Sequence, residues 1–132
     1  MLICPLYALF LSMLKTIYIG SDQFSSEVLR TLAGTKSLEI SAVITYSDIE
    51  HGRDRRKIPT PVKLAAKELS IPVIEIDDTN DPIVLQKISD YDVPAALLLS
   101  FKILPVNFLR IFPNGIINLH PSLLPDLRGA AP

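Results

Sequence analysis

Five short runs rich in apolar residues punctuate the chain, spaced so that a helix, or a helix and a loop, fits between each pair. They are Thr16 to Gly20 (TIYIG), Leu38 to Thr45 (LEISAVIT), Ile71 to Ile76 (IPVIEI), Ala95 to Ser100 (AALLLS) and the Ile116, Ile117, Leu119 run. A run as uniformly apolar as AALLLS must be covered on both faces, the situation of a strand inside a parallel sheet. Parallel neighbours need a crossover, and the intervening pattern supplies helices. Phe24, Val28, Leu29 and Leu32 recur at helical spacing, with Gly34 as the C-cap. Thr60 N-caps a second helix with Pro61 in its first position and Val62, Ala65, Ala66 and Leu69 on its apolar face. Pro82 starts a third helix through about Ser89, and Pro105 a short fourth through about Phe112. This order predicts an α/β fold: a doubly wound, mostly parallel sheet with right-handed crossovers. The run at Ile116 is expected to be a buried strand.

The chain is 132 residues long, enough for one domain with a single core and no staples. Composition fits that reading, with 48% hydrophobic and 20% charged residues. Thirteen basic against fourteen acidic residues give a net charge of −1, which argues against a stand-alone nucleic-acid binder. The single cysteine, Cys4, forms neither an internal disulfide nor a multi-cysteine metal site. Residues 1–13 read as an apolar leader ahead of a domain spanning 14–132, and Met13 opens a second start, MLKTIYIG. The leader is too short to span a bilayer and lacks both a basic n-region and the Arg-rich composition of a transit peptide.

Two stretches carry candidate chemistry. The first is Gly115 to Pro132, GIINLHPSLLPDLRGAAP. On a strand, residues two apart share a face, so Asn118 and His120 point the same way, just before Pro121 breaks the ladder. Open α/β sheets place ligand crevices at this end of their strands. An amide donates to a developing oxyanion without titrating, and an imidazole donates a hydrogen bond or moves a proton near neutral pH; by spacing alone the pair is either structural or catalytic. The second stretch is Glu50 to Lys57, EHGRDRRK, with Arg53, Arg55, Arg56 and Lys57 beside Gly52. A run of this kind is either a solvated surface loop or a contact for a phosphate backbone. A G-x-G-x-x-G phosphate fingerprint is absent after the first strand, where Gly20 is followed by Ser21, Asp22, Gln23 and Phe24. This argues against a nicotinamide dinucleotide.

The string N-L-H-P-S-L-L-P-D-L-R-G-A-A-P closely resembles the signature of the 10-formyltetrahydrofolate-dependent formyltransferases, with only Asp126 standing where a basic residue is common. Its R-G-A-A-P ending, and the segment GRDRRKIPTPVKLAAKELSIPV, resemble the branch of that family that acts on methionyl-tRNA. The resemblance implies a Rossmann-like catalytic domain, incomplete at its C-terminal end, with Asn118 and His120 catalytic. It implies a folate pocket formed by Ser122, Leu123, Leu124 and Pro125 with Phe101, Ile103 and Leu104, although each of the last three reads equally well as a core residue. The formyl donor would be 10-formyltetrahydrofolate, without a metal. The partner would be methionyl initiator tRNA, touched by Arg53, the position matching the family's functional arginine, and by Arg55, Arg56 and Lys57. A monomer without membrane contact is expected, in the mitochondrial matrix if the source is eukaryotic and in the cytoplasm otherwise. The family's His is oriented by an Asp downstream of R-G-A-A-P, so this chain is expected to be inactive alone. Rival readings are a sister enzyme formylating glycinamide ribonucleotide or an amino sugar, a non-catalytic folate-binding remnant, and, more distantly, a nucleotide-binding α/β domain.

Overall fold

The computed structural model describes residues 13–120. In chain order the elements are β1 (Leu14–Gly20), α1 (Gln23–Ala33), β2 (Leu38–Thr45), β3 (Ile49–His51), β4 (Arg56–Ile58), α2 (Pro61–Glu68), β5 (Val73–Glu75), α3 (Pro82–Ser89), β6 (Ala95–Leu99), α4 (Val106–Leu109) and β7 (Ile116–Asn118). Five strands form one sheet in the order β5, β2, β1, β6, β7, and every neighbouring pair is parallel. The expected doubly wound α/β sheet is what the chain forms.

Side chains alternate along each strand, and over the C-terminal parts of β1 and β2 both sides are buried. Ile17, Ile19, Ala42, Ile44 and Ile74 pack on one face with Ile88 of α3 and Phe108 of α4. Tyr18, Val43 and Leu99 pack on the other with Leu29 of α1 and Val62, Ala65 and Ala66 of α2. Full burial of one such aliphatic side chain stabilises the fold by about 2 kcal/mol relative to leaving it exposed. The winding runs from β1 through β2 to β5 with helices on one face, then reverses to β6 and β7 with helices on the other. Reversing direction and face together keeps the crossovers of one hand.

Among the described residues the buried side-chain polar groups are paired. The buried Tyr18 hydroxyl donates to the Ser25 carbonyl oxygen at 2.8 Å and lies 3.0 Å from Ser25 Oγ. Burial pushes that hydroxyl above its ordinary value of 10.0, so it stays a neutral donor. Asp22 caps α1 by accepting from the Ser25 amide at 2.7 Å, and Thr60 caps α2 by accepting from the Lys63 amide at 3.1 Å. The Thr60 hydroxyl also lies 2.7 Å from that of Thr45, tying the start of α2 to the end of β2. Lys63 of α2 reaches two carboxylates, Asp48 at 2.6 Å and Glu75.

Several expectations are corrected. The run Glu50 to Lys57 is not a loop: Ile49–His51 and Arg56–Ile58 pair antiparallel, with Gly52 at φ 79° and Arg55 at φ 48° making the turn. The Ile116 run is a strand but not a buried one. Among the described residues β7 has β6 as its single strand neighbour, and Ile117 is 54% exposed. Phe24 is exposed because Ser25, Ser26 and Leu29 take the inward stripe of α1. Leu69 is the exposed C-cap of α2 and not part of its buried face. Gly34 does cap α1, but at φ −79°, so the position makes no use of glycine's left-handed freedom. The fourth helix is only Val106–Leu109, with Pro105 as its cap.

Two predictions follow from this packing. At Gly20 an added Cβ would lie 1.9 Å from Ser25 Oγ and 3.0 Å from the Leu99 carbonyl oxygen. Gly20→Ala is therefore expected to destabilise by about 1–3 kcal/mol; an unchanged urea midpoint would show slack at this junction. The second concerns Lys63. Hydrogen bonds to Asp48 and Glu75 hold its ammonium above the ordinary 10.5, and the bond from Lys63 holds the Asp48 carboxyl below its ordinary 3.8, with Lys67 and Lys57 adding to that. A lowered acid contributes stability above its unfolded value and loses it as pH falls through the folded one; a raised amine contributes below its unfolded value and loses it as pH rises through the folded one. The melting-temperature gap between wild type and Lys63→Met should be level from about pH 5 to about pH 9 and narrow at both extremes. A gap unchanged at about pH 2 would show that these pairs add nothing.

Candidate active site

In an open parallel sheet a crevice opens where neighbouring strands send their connections to opposite faces, beyond their C-terminal ends. Here that place lies between β1, which runs into α1, and β6, which runs into α4. Gly20 and Leu99 are register partners and end the two strands side by side. Ser21 Oγ donates to the Ser100 carbonyl oxygen at 3.0 Å, joining the two exits. Ser100 has φ 53°, a left-handed conformation that turns the chain away as it leaves β6.

Phe101 then stacks on Tyr46, with ring centroids 4.3 Å apart and planes 9° from parallel. Tyr46 immediately follows β2, so the stack links connections on either side of β1. The Lys102 amide donates to the Tyr46 phenolic oxygen at 3.2 Å. Lys102 Nζ donates to the Asp77 carbonyl oxygen at 2.9 Å and sits 5.6 Å from the centre of the Tyr46 ring. The C-terminal ends of β2, β5 and β6 are thus joined by one aromatic and cationic cluster.

The residues singled out from sequence fall into three groups. Asn118 ends β7 in register with Leu98 of β6, and the Leu119 amide donates to the Leu98 carbonyl oxygen at 2.8 Å, extending the ladder one bond further. Alternation places Asn118 on the side of Ile116, which packs toward the α3 and α4 core, while Leu119 packs toward the α1 and α2 core. Asn118 is exposed and His120, just beyond the strand, is half-buried. Of the expected folate contacts, Phe101 is half-buried at the crevice and Ile103 is 84% exposed. Leu104 is 9% exposed and sits in the same apolar cluster as Phe108, a core position. Ser122, Leu123, Leu124 and Pro125 lie outside the described residues.

The basic residues form the third group. Arg53 and Arg55 lie in the hairpin turn, Arg56 and Lys57 lie on β4, and all four are exposed. Lys57 stands opposite Glu50 and Arg56 opposite His51, so only part of the positive charge is free of a facing carboxylate.

Sequence reasoning missed Tyr46, Ser21, Lys102 and Lys63. Tyr46, Ser21 and Lys102 lie within a few residues of the predicted C-terminal ends of strands, the position already known to frame a crevice. That placement was the available signal. Lys63 carried none, because a lysine on a helix ordinarily reads as a solvated side chain.

The arrangement is a polar switch point with an aromatic wall on one side and an amide-bearing strand end on the other. A switch point of this make-up suits a flat, partly polar ligand.

Residues 14–132 match the formyl transferase family. Among curated relatives, the methionyl-tRNA formyltransferase of Bifidobacterium adolescentis is 40% identical over 121 residues, 91% of this chain and 38% of that protein. The methionyl-tRNA formyltransferase of Porphyromonas gingivalis is 36% identical over 119 residues, 90% of this chain and 36% of that protein. The chain therefore spans little more than a third of the length of these relatives. Among solved structures, phosphoribosylglycinamide formyltransferase from Anaplasma phagocytophilum is similar with a TM-score of 0.66 and 27% identity, covering 89% of this chain and 54% of that one. The Streptococcus pneumoniae protein of the same name, 19% identical with a TM-score of 0.63, shares the fold over 89% of this chain and 62% of its own. With the family match running from β1 through Asn118 and His120 to the last residue, the chain belongs to the formyl transferase family.

Proposed function

We propose that this chain carries the formyl-transfer site of an enzyme that formylates the α-amino group of methionine on initiator tRNA, with 10-formyltetrahydrofolate as donor. The observation that carries the reading is the N-L-H-P-S-L-L-P string, which begins at the C-terminal end of β7, one strand from the switch point. The relatives named for the methionyl-tRNA reaction and the exposed basic hairpin favour this branch.

The folate co-substrate supplies the formyl group. Attack of the amine on the formyl carbon forms the new C–N bond and places negative charge on its oxygen; collapse of that intermediate breaks the bond to the folate N10, which takes up the proton lost by the amine and leaves as tetrahydrofolate. Asn118 donates a hydrogen bond to that oxygen without changing protonation state, and His120 donates beside it or moves the proton lost by the amine. Phe101 offers an aromatic surface at the crevice, and Ser122 to Pro125 hold the folate from the segment beyond His120. Arg53, with Arg55 and Arg56, contacts the phosphate backbone of the tRNA.

The likeness to phosphoribosylglycinamide formyltransferase favours a second reading, a formyl transferase acting on a small amine. The two part at the hairpin. In a chain joined to the downstream sequence of a full-length relative, Arg53→Ala should leave folate binding intact and lower kcat/KM on methionyl-tRNA by about tenfold; unchanged use of tRNA together with formylation of glycinamide ribonucleotide would establish the second reading.

In the same joined chain, Asn118→Ala and His120→Ala are each expected to lower kcat by about 100-fold, because each acts on charge that appears only in the transition state. Binding of a non-transferable formyl-folate analogue, followed by titration calorimetry, should stay close to wild type. Parallel losses in binding and kcat would assign both residues to the fold instead.

A further inference from the structure

The segment between Thr45 and Thr60 leaves the sheet at the end of β2 and returns at the cap of α2. Every residue of its hairpin, Ile49 to Ile58, is exposed, including both apolar partners of the Ile49–Ile58 pair. Two strands of three residues with no core beneath them are marginal in water, so the stance of this hairpin has to be set at its root. The Thr45 and Thr60 hydroxyls, 2.7 Å apart, hold the two ends together, and Ser47 Oγ donates to Asp77 Oδ2 at 2.9 Å.

Lys63 adds a further tie. The residue is only 9% exposed, and its Nζ donates at 2.6 Å to Asp48, the residue immediately before β3, and to Glu75, the last residue of β5. One ammonium thus joins α2, the end of β5 and the residue just before β3. Its Nζ is engaged by these two carboxylates, at the base of the hairpin.

We infer that Lys63 is a positioning residue for the basic hairpin: by gripping Asp48 against Glu75 it sets how Arg53, Arg55 and Arg56 are presented to a phosphate backbone, without touching that backbone itself. This rests on the reading of the hairpin as a phosphate contact. A lysine that contacted phosphate would release a counterion on binding and steepen the salt dependence by about 0.9 in slope; a positioning lysine changes affinity and leaves the slope alone.

The test is to titrate the chain with a short RNA duplex carrying a single-stranded 3′ end across a salt series, and to follow amide exchange by mass spectrometry. Lys63→Met and Asp48→Asn, which cut the same tie from opposite sides, should each weaken binding by roughly 5- to 10-fold, the loss expected when a preorganised loop must be ordered on binding. The salt slope should be unchanged, exchange should quicken between Tyr46 and Pro59 while β1 and β6 keep their protection, and Lys63→Arg should restore most of the affinity. Using Asp48→Asn guards against a Lys63→Met chain that folds poorly. If Arg53→Ala/Arg55→Ala/Arg56→Ala binds as tightly as wild type, or wild type does not bind, the phosphate reading falls and this inference with it. If the triple variant is weakened while Lys63→Met and Asp48→Asn stay within about twofold of wild type, the inference alone is overturned. A drop of about 1 in slope for Lys63→Met also overturns it, by making Lys63 a direct contact.

Discussion

Every other strand of the sheet is placed by reference to β1, which is hydrogen-bonded on both edges and covered on both faces. Ile17, Tyr18 and Ile19 are fully buried on alternating sides, so neither face is left for solvent. At its C-terminal end the crowding becomes most severe, where Ser25 and the Leu99 carbonyl close on Gly20 and leave no room for a Cβ. Because β1 pairs with β2 on one edge and β6 on the other, the winding must reverse beside it. The reversal opens the crevice, and the crevice is where the strand ends deliver their polar groups.

Around that fixed centre the two proposed functional regions differ in how they are held. Asn118 sits on a ladder: β7 pairs with β6, and the bond from Leu119 to Leu98 carries the pairing past the amide that would meet the ligand. A side chain meant to donate to a developing charge benefits from such rigidity, since preorganised donors cost no reorganisation. The basic hairpin is the opposite case. It has no core, and its attachment runs through a few polar contacts at its root, the Thr45–Thr60 pair and the buried Lys63 among them. The Tyr46–Phe101 stack begins in the same root and ends on the wall of the crevice, so the two regions share a boundary.

Much of this was legible in the chain before any coordinates. All five apolar runs are strands of one parallel sheet, because runs such as AALLLS find cover on both faces only between layers of helices. Thr60 and Pro61 open α2 as their types demand, and the R-D-R-R-K charge stretch is exposed along its length. What escaped has physical reasons. The hairpin is formed by local pairing around Gly52 and Arg55, without the alternating burial that marks a strand. Apolarity at Ile116 and Ile117 signals a strand but not whether a neighbour covers it, and β7 is an edge among the described residues. Leu104, which the motif offers as a folate contact and its apolar type equally as core, lies in the apolar cluster of Phe108. The contact between Tyr46 and Phe101 joins two loops distant in sequence, and only the register of β2, β1 and β6 brings them together.

The central claim is that formyl transfer is carried out at the C-terminal end of β7 beside the β1 and β6 switch point. The most direct measurement is backbone amide chemical-shift mapping of the chain during titration with a non-transferable formyl-folate analogue. The account predicts shifts concentrated at Ser21 and Asp22, at Ser100 to Lys102 and at Asn118 to His120, with the outer surface of α3 around Ile83 and Lys87 silent. Saturable shifts centred on that outer surface, with the strand ends unmoved, would contradict it.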